Sequence, residues 1–178
     1  MLDNDALSKF IKGDRVGFNA VYEAYSSGMF AICLRYLRCD DDAKEVLQES
    51  FIKVYEYRQK FDASKSIGAW IKTITIRTAL NYIKKNYKMI LIEDETQFDT
   101  FSNPVVEEDS NSMKDILKKA LEKLPDGYRV VFQLFAIENL THKEIADYLG
   151  IKEGTSKSQY SKAKSMIKRM IENQKVTS

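Results

Sequence analysis

Residues 91–112, LIEDETQFDTFSNPVVEEDSNS, carry seven carboxylates and no basic side chain, include the Asn103-Pro104 step, and follow no helical period. A stretch that can neither pair its charges internally nor bury a face reads as a flexible, solvated linker. It therefore cuts the 178-residue chain into two blocks, 1–90 and 113–178, each the size of a small domain. The formal net charge of +2 conceals a segregation: the first block has 15 bases against 11 acids, and the last has 13 against eight. Two basic blocks flank an acidic bridge. Its charge also suits the bridge to lie in a basic groove as a mimic of DNA, although a linker kept soluble by its acids is the plainer account. Basic blocks are the electrostatic footprint of phosphate binding, but lysines on solvated helix faces give the same modest excess.

Only two prolines and seven glycines interrupt the chain, so long stretches can keep an unbroken helical hydrogen-bond ladder. The expected class is all-α, with two small helical domains. Before the linker the pattern predicts four helices. A short one near 5–12 buries Leu7, Phe10 and Ile11 and stops at Gly13. A longer one carries Phe18, Val21, Tyr22, Tyr25, Met29, Ile32, Cys33 and Tyr36 as an apolar stripe. A third opens at Asp40-Asp41-Asp42, with Asp42 and Glu45 at capping-box spacing and Leu47, Phe51, Val54 and Tyr55 inside. The fourth runs from about 67 to 87. After the linker four shorter helices are expected: 113–124, with Ile116, Leu117, Ala120, Leu121 and Leu124 inside, then 128–137, then two more. The best strand candidate, MILIED at 89–94, is too short to demand a sheet.

Several function classes are excluded at this point. No apolar run approaches the ~20 residues of a membrane span, and the amino terminus lacks the order of a signal peptide, so a cytoplasmic protein is expected. Cys33 and Cys39 have no histidine beside them and suggest neither disulfide nor zinc. The single histidine, His142, leaves no Glu-x-x-His pair for a di-iron bundle, and no phosphate loop or nucleophile elbow appears. Nothing calls for a cofactor, a metal or a small-molecule substrate, and enzymatic activity is not expected. His142 itself is expected as a solvated or phosphate-facing ring.

The sharpest local signal is Thr141-His142-Lys143-Glu144, a threonine with glutamate three residues on, which opens a helix as a capping box. Ile145 and Leu149 form its inner edge, Ala146 permits a close crossing, and Gly150 supplies a left-handed turn before a helix starting near Thr155. That is the pattern of a helix-turn-helix, whose second helix enters the major groove. On that helix Tyr160, Ala163, Ile167 and Met170 face inward, while Lys157, Ser158, Ser161, Lys162 and Ser165 share an outer side. Taken alone, a solvated helix closing a bundle explains those faces equally well. The capped helix and its glycine turn decide for DNA.

These carboxy-terminal residues, from Leu124-Pro125 through Arg129, Glu144-Ile145-Ala146, Leu149-Gly150-Ile151 and Gly154-Thr155, resemble region 4 of extracytoplasmic-function sigma factors. DDDAKEVLQESFIKVYE and GAWIKTITIRTALNYIKK resemble region 2 of the same family. The resemblance implies a non-enzymatic initiation factor with core RNA polymerase and promoter DNA as partners. Region 2 would meet the beta-prime clamp helices at Gln48 and Glu49. It would also capture the melted minus-ten strand with the 58–66 loop and fourth helix, through Phe61, Lys65, Lys72, Arg77, Lys84 and Lys85. Phe61 and Trp70 suit packing as well as stacking, and Trp70 among isoleucines favours the core. Arg77 and Asn81 stand where many members have asparagine and aspartate, which makes this surface more positive. Region 4 would meet the beta flap and read the minus-35 duplex with Thr155, Ser156, Lys157, Ser158, Gln159, Ser161 and Lys162. Lysine, serine and glutamine lack arginine's planar fork, so recognition is expected to lean on backbone positioning and DNA shape. Many members are restrained by an anti-sigma factor, a partner class the resemblance adds without identifying one. The rival reading is a stand-alone helix-turn-helix regulator, which would ordinarily dimerise on a palindrome and has no use for the amino-terminal block.

Overall fold

The computed structural model describes residues 2–37, 39–86 and 113–176. The acidic stretch at 91–112 and the MILIED segment lie outside the described residues. The chain forms two compact units, Met1–Lys85 and Asn86–Ser178. Among the described residues there are eight α-helices, one 3-10 turn and one π turn, with no strand.

The first unit comprises α1 (Asn4–Lys12), α2 (Arg15–Tyr36), α3 (Asp40–Glu56), a 3-10 turn (Arg58–Lys60) and α4 (Ile67–Asn86). Short side chains start the first two helices: Asp3 accepts from the amide of Ala6 at 2.6 Å, and Asp14 from that of Val16 at 2.7 Å. Gly13 ends α1 at φ 85°, a left-handed position that a residue without Cβ adopts freely. The two helices then cross so closely that a Cβ on Gly17 would stand 2.2 Å from the backbone nitrogen of Phe10. Phe10, Val21, Cys33, Val46, Val54, Ile71 and Ala79 are wholly buried. Each large apolar side chain so buried contributes roughly 1.5–3 kcal/mol. Burial lifts the Cys33 thiol to about 11, which keeps it inert, while Cys39 is exposed.

Two expectations fail here for the same reason. The Asp42–Glu45 capping box does not form: α3 begins at Asp40 with Cys39 as its uncapped N-cap. Asp42 instead accepts a 2.8 Å hydrogen bond from the hydroxyl of Tyr82 on α4, with Glu45 at 3.5 Å from the same oxygen. Tyr22 and Tyr55, expected inside, are 41% and 37% exposed. In both cases a partner distant in sequence decides the outcome.

The second unit comprises α5 (Met113–Lys123), α6 (Asp126–Phe132), a π turn (Gln133–Ile137), α7 (His142–Leu149) and α8 (Glu153–Val176). Ala120, Leu124, Tyr128, Ala163, Ile167 and Met170 form one core, with Leu121 and Phe132 against it. Leu117 is 36% exposed rather than inside. The helix expected over 128–137 begins earlier and widens into the π turn, and α8, expected short, runs for 24 residues. The buried Arg129 guanidinium meets Asp126 at 2.9 Å.

Candidate nucleic-acid interface

Local chemistry sets the helix-turn-helix. The Thr141 hydroxyl accepts from the amide of Glu144 at 3.2 Å, and the Glu144 carboxylate accepts from the amide of Thr141 at 2.8 Å. That amide first, and the Thr141 hydroxyl donating to the same carboxylate at 2.7 Å second, hold the Glu144 carboxyl below the usual carboxylate range. Gly150 ends α7 at φ 69°, its amide bonded to the Ala146 carbonyl at 2.8 Å, and Ile151 reaches the same carbonyl at 3.1 Å. Ile145, Ala146 and Leu149 are buried as the inner edge.

Helix α8 starts at Glu153, two residues before the expected position, and this shifts what its outer face offers. Lys157, Ser158 and Ser161 are exposed, with Thr155 and Lys162 half-buried. The Lys157 ammonium meets Glu153 at 2.7 Å, so an acid stands beside the lysines at the first turn of the helix. That lysine depresses the Glu153 carboxyl. The Lys162 ammonium lies 6.0 Å from the centroid of the Tyr128 ring. Ser156 and Gln159 depart from their expected place at the surface: they are 0% and 6% exposed, on the side of α8 that packs into the unit. His142 departs too. It is half-buried with Nδ1 and Ser156 Oγ 2.9 Å apart, its ring flat against Phe135 at 4.3 Å between centroids and 14° between planes. Burial first, and Lys157 second, push its pKa below the ordinary imidazole value, with Glu153 opposing.

In the first unit α4 carries Arg77, Lys84 and Lys85 exposed and Lys72 half-buried. Lys65 is exposed at 3.8 Å from Asp62, whose carboxyl is lowered chiefly by the Ser64 hydroxyl at 2.7 Å. Phe61 is 8% exposed and packs on half-buried Trp70, centroids 5.2 Å apart, so its ring belongs to the core in this state. Gly68 sits where a Cβ would be 2.9 Å from the Tyr25 ring, which brings the start of α4 tight against α2.

Gln48 and Glu49 are both exposed on α3 but do different things. Glu49 accepts from Lys53 at 2.6 Å. Gln48 lines an apolar groove of about 1040 Å³ with Phe18, Tyr22, Leu47, Phe51 and Tyr55. Edge-to-face contacts fix its walls, Phe18 on Tyr55 at 5.4 Å and Tyr22 on Phe51 at 4.8 Å. The sequence pattern hid this groove, because helical spacing marks its aromatics as core. The Glu153–Lys157 pair was legible as an i,i+4 spacing once α8 is started at Glu153. Among the described residues, no three His, Cys, Asp or Glu side chains are grouped as a metal site, and no helix is long and apolar enough to cross a membrane.

Comparison with known proteins matches residues 21–89 to the model of Sigma-70 region 2 and residues 114–167 to that of Sigma-70, region 4. The chain is 26% identical to the ECF RNA polymerase sigma-E factor of Haemophilus influenzae, covering 97% of this chain and 96% of that protein. It is also 26% identical to the ECF RNA polymerase sigma factor SigM of Bacillus subtilis, covering 83% and 91%. Two solved structures share the fold at a TM-score of 0.50. They are CnrH in complex with the cytosolic domain of CnrY, 17% identical over 97% of this chain and 99% of that one, and the sigma factor RpoE in complex with the anti-sigma factor NepR from Bartonella quintana, 19% identical over 87% and 96%.

Proposed function

The chain belongs to the extracytoplasmic-function group of the sigma-70 family and directs RNA polymerase to promoters, and from that premise we propose how its two units divide the work. The domains are 1–90 for polymerase and minus-ten DNA, 91–112 as tether, and 113–178 for minus-35 DNA. Held on one chain, each module raises the effective concentration of the other at its element. The chain supplies binding energy and no covalent chemistry, and it acts where polymerase and promoter are, in the cytoplasm.

The observation that carries this reading is α8: a helix seated by the capped α7 and the Gly150 turn, with Lys157, Ser158 and Ser161 together outside. It enters the major groove of the minus-35 duplex, its lysines on phosphates and its short hydroxyls on base edges and backbone oxygens. With Ser156 and Gln159 turned inward, Thr155, Lys157, Ser158, Ser161 and Lys162 remain as the contact set. Arg77, Lys84 and Lys85, with Lys65 and Lys72, line the path of the melted minus-ten strand, whose phosphates need cations. The Gln48 groove receives the beta-prime clamp helices, with Glu49 at its polar rim, and the first helices of the second unit meet the beta flap. An anti-sigma factor, the partner with which the Bartonella quintana protein was solved, is a further partner class for this chain. The stand-alone regulator is the weaker reading, because region 2 matches residues 21–89.

Runoff transcription with purified core polymerase tests the proposal. The wild-type chain should give promoter-specific transcripts that fall when minus-35 is scrambled. In Lys157→Ala/Lys162→Ala that dependence should disappear. Transcripts indifferent to minus-35 in the wild type, or an unchanged dependence in the double variant, would refute the assignment of α8.

A further inference from the structure

The junction of α7 and α8 holds a polar and aromatic cluster that groove entry does not require. His142 is the first residue of α7, and Ser156 lies in the first turn of α8, wholly buried, with their hydrogen bond joining the two helices at 2.9 Å. The other wall comes from the π turn: Phe135 stacks flat on His142, and Tyr160, one turn beyond Ser156, lies 4.4 Å from Phe135 and 5.8 Å from His142. A π turn carries one more residue than an α turn and so re-aims the side chains within it, here placing Phe135 against the histidine. The cluster thus ties together three elements, the π turn, α7 and α8.

A helix is stiff over a few turns, so an anchor in its first turn fixes its rotation about its own axis and its depth. Ser156 is that anchor, and its neighbours in sequence are Thr155 and Lys157. We propose that His142 is a positioning residue for duplex reading: through Ser156 it sets the rotation of the start of α8, and with it the places at which Thr155, Lys157 and Ser158 meet DNA. This rests on the reading of α8 given above and goes beyond it, since His142 itself need touch no base.

The ring's charge gives a second readout beside the loss of the Ser156 bond. The charged groups facing His142 are Lys157 and Glu153 on α8; Tyr160 and Phe135 bring no charge at neutral pH. A duplex phosphate that engages Lys157 cancels the repulsion this lysine exerts on a protonated ring. Binding should therefore take up a proton at His142, and DNA affinity should rise as pH falls through the imidazole range.

The test uses the full chain assembled with core polymerase, with binding to a promoter fragment measured between about pH 7.5 and about pH 5.5. All variants are compared in the same core, so the polymerase's own titration cancels. At the higher pH, Ser156→Ala and His142→Ala should weaken binding up to about tenfold, the scale of one lost hydrogen bond. His142→Asn, whose amide can replace Nδ1 without titrating, should stay within about twofold of wild type. Towards the lower pH, the wild type should gain up to about threefold over His142→Asn, the direction expected when binding favours the protonated ring. Wild-type affinity in Ser156→Ala, or an identical pH profile in His142→Asn, would overturn the proposal. If Lys157→Ala/Lys162→Ala binds like wild type, the reading of α8 falls and this inference with it. If the lysines matter while Ser156→Ala does not, only the inference falls.

Discussion

The two units solve the burial of polar groups in different ways. In the first, the buried hydroxyls of Ser50, Thr75 and Thr78 turn back onto their own helices, donating to the carbonyls of Val46, Ile71 and Ile74 at 2.6, 3.0 and 2.9 Å. These bonds satisfy the hydroxyls without joining one helix to another, so apolar packing and close crossings such as that at Gly17 hold the bundle, with the Tyr82–Asp42 bond between α3 and α4 at its edge. In the second, Arg129 also pairs within its own helix, with Asp126, but the buried Ser156 meets His142 across the turn between α7 and α8. A polar tie is directional, whereas apolar contact is forgiving of small rotations. The unit that must present one helix at a defined rotation carries a buried tie, Ser156 to His142, in the first turn of that helix.

The comparison can be broken most sharply at Asp126. Asp126→Ala leaves the Arg129 guanidinium buried without this carboxylate and should cost about 3 kcal/mol, seen as lost hydrogen-exchange protection in the second unit alone. Protection lost equally in both units would mean the polar network is not local to the second. Next comes Gly17→Ala, where the new methyl meets the α1 backbone and should cost about 2 kcal/mol, confined to the first unit. Denaturant unfolding followed by site-resolved exchange would show it, and an unaffected first unit would deny that close crossing holds it.

Smaller effects sharpen the functional side of the contrast. Lys84→Ala/Lys85→Ala should leave stability unchanged, because both side chains are exposed. It should slow promoter opening and reduce the slope of log K against log salt by about 1.4, the value for two phosphates on a single strand. Opening assays across a salt series would detect this, and an unaltered slope would take α4 off the strand's path. The smallest effect is on thermal stability. A histidine whose folded pKa is lowered contributes stability above its ordinary value of 6.5 and loses it as pH falls towards and past the folded pKa. The melting temperature of the second unit should therefore drop by a few degrees at most on acidification, and the drop should be shallower in His142→Asn. An identical acid response in that variant would place the sensitivity elsewhere.

How much of this was legible beforehand follows the range of the interactions. The Thr141–Glu144 capping box and the left-handed glycines 13 and 150 are contacts within four residues, and they appear where the pattern put them. The apolar stripes at Ala163, Ile167 and Met170 or Val21, Met29 and Ile32 did as well, since a helix core needs that period. Patterning failed where two helices share a boundary. Ser156 and Gln159 look like surface residues from composition, and Tyr22 and Tyr55 like core ones, yet each takes the side its neighbouring helix leaves.

The sequence by itself determined an all-α class, the capped start of α7, the glycine turns at 13 and 150, and a helix-turn-helix with lysines on one side, because propensity, capping and periodicity act along the chain. Only the tertiary structure decided that Asp42 serves Tyr82 rather than a cap, that Gln48 belongs to an aromatic groove, and that His142 bonds Ser156 while stacking on Phe135. Those pairings join residues that meet only once helices pack, and packing selects them by shape and hydrogen-bond geometry that no local spacing encodes.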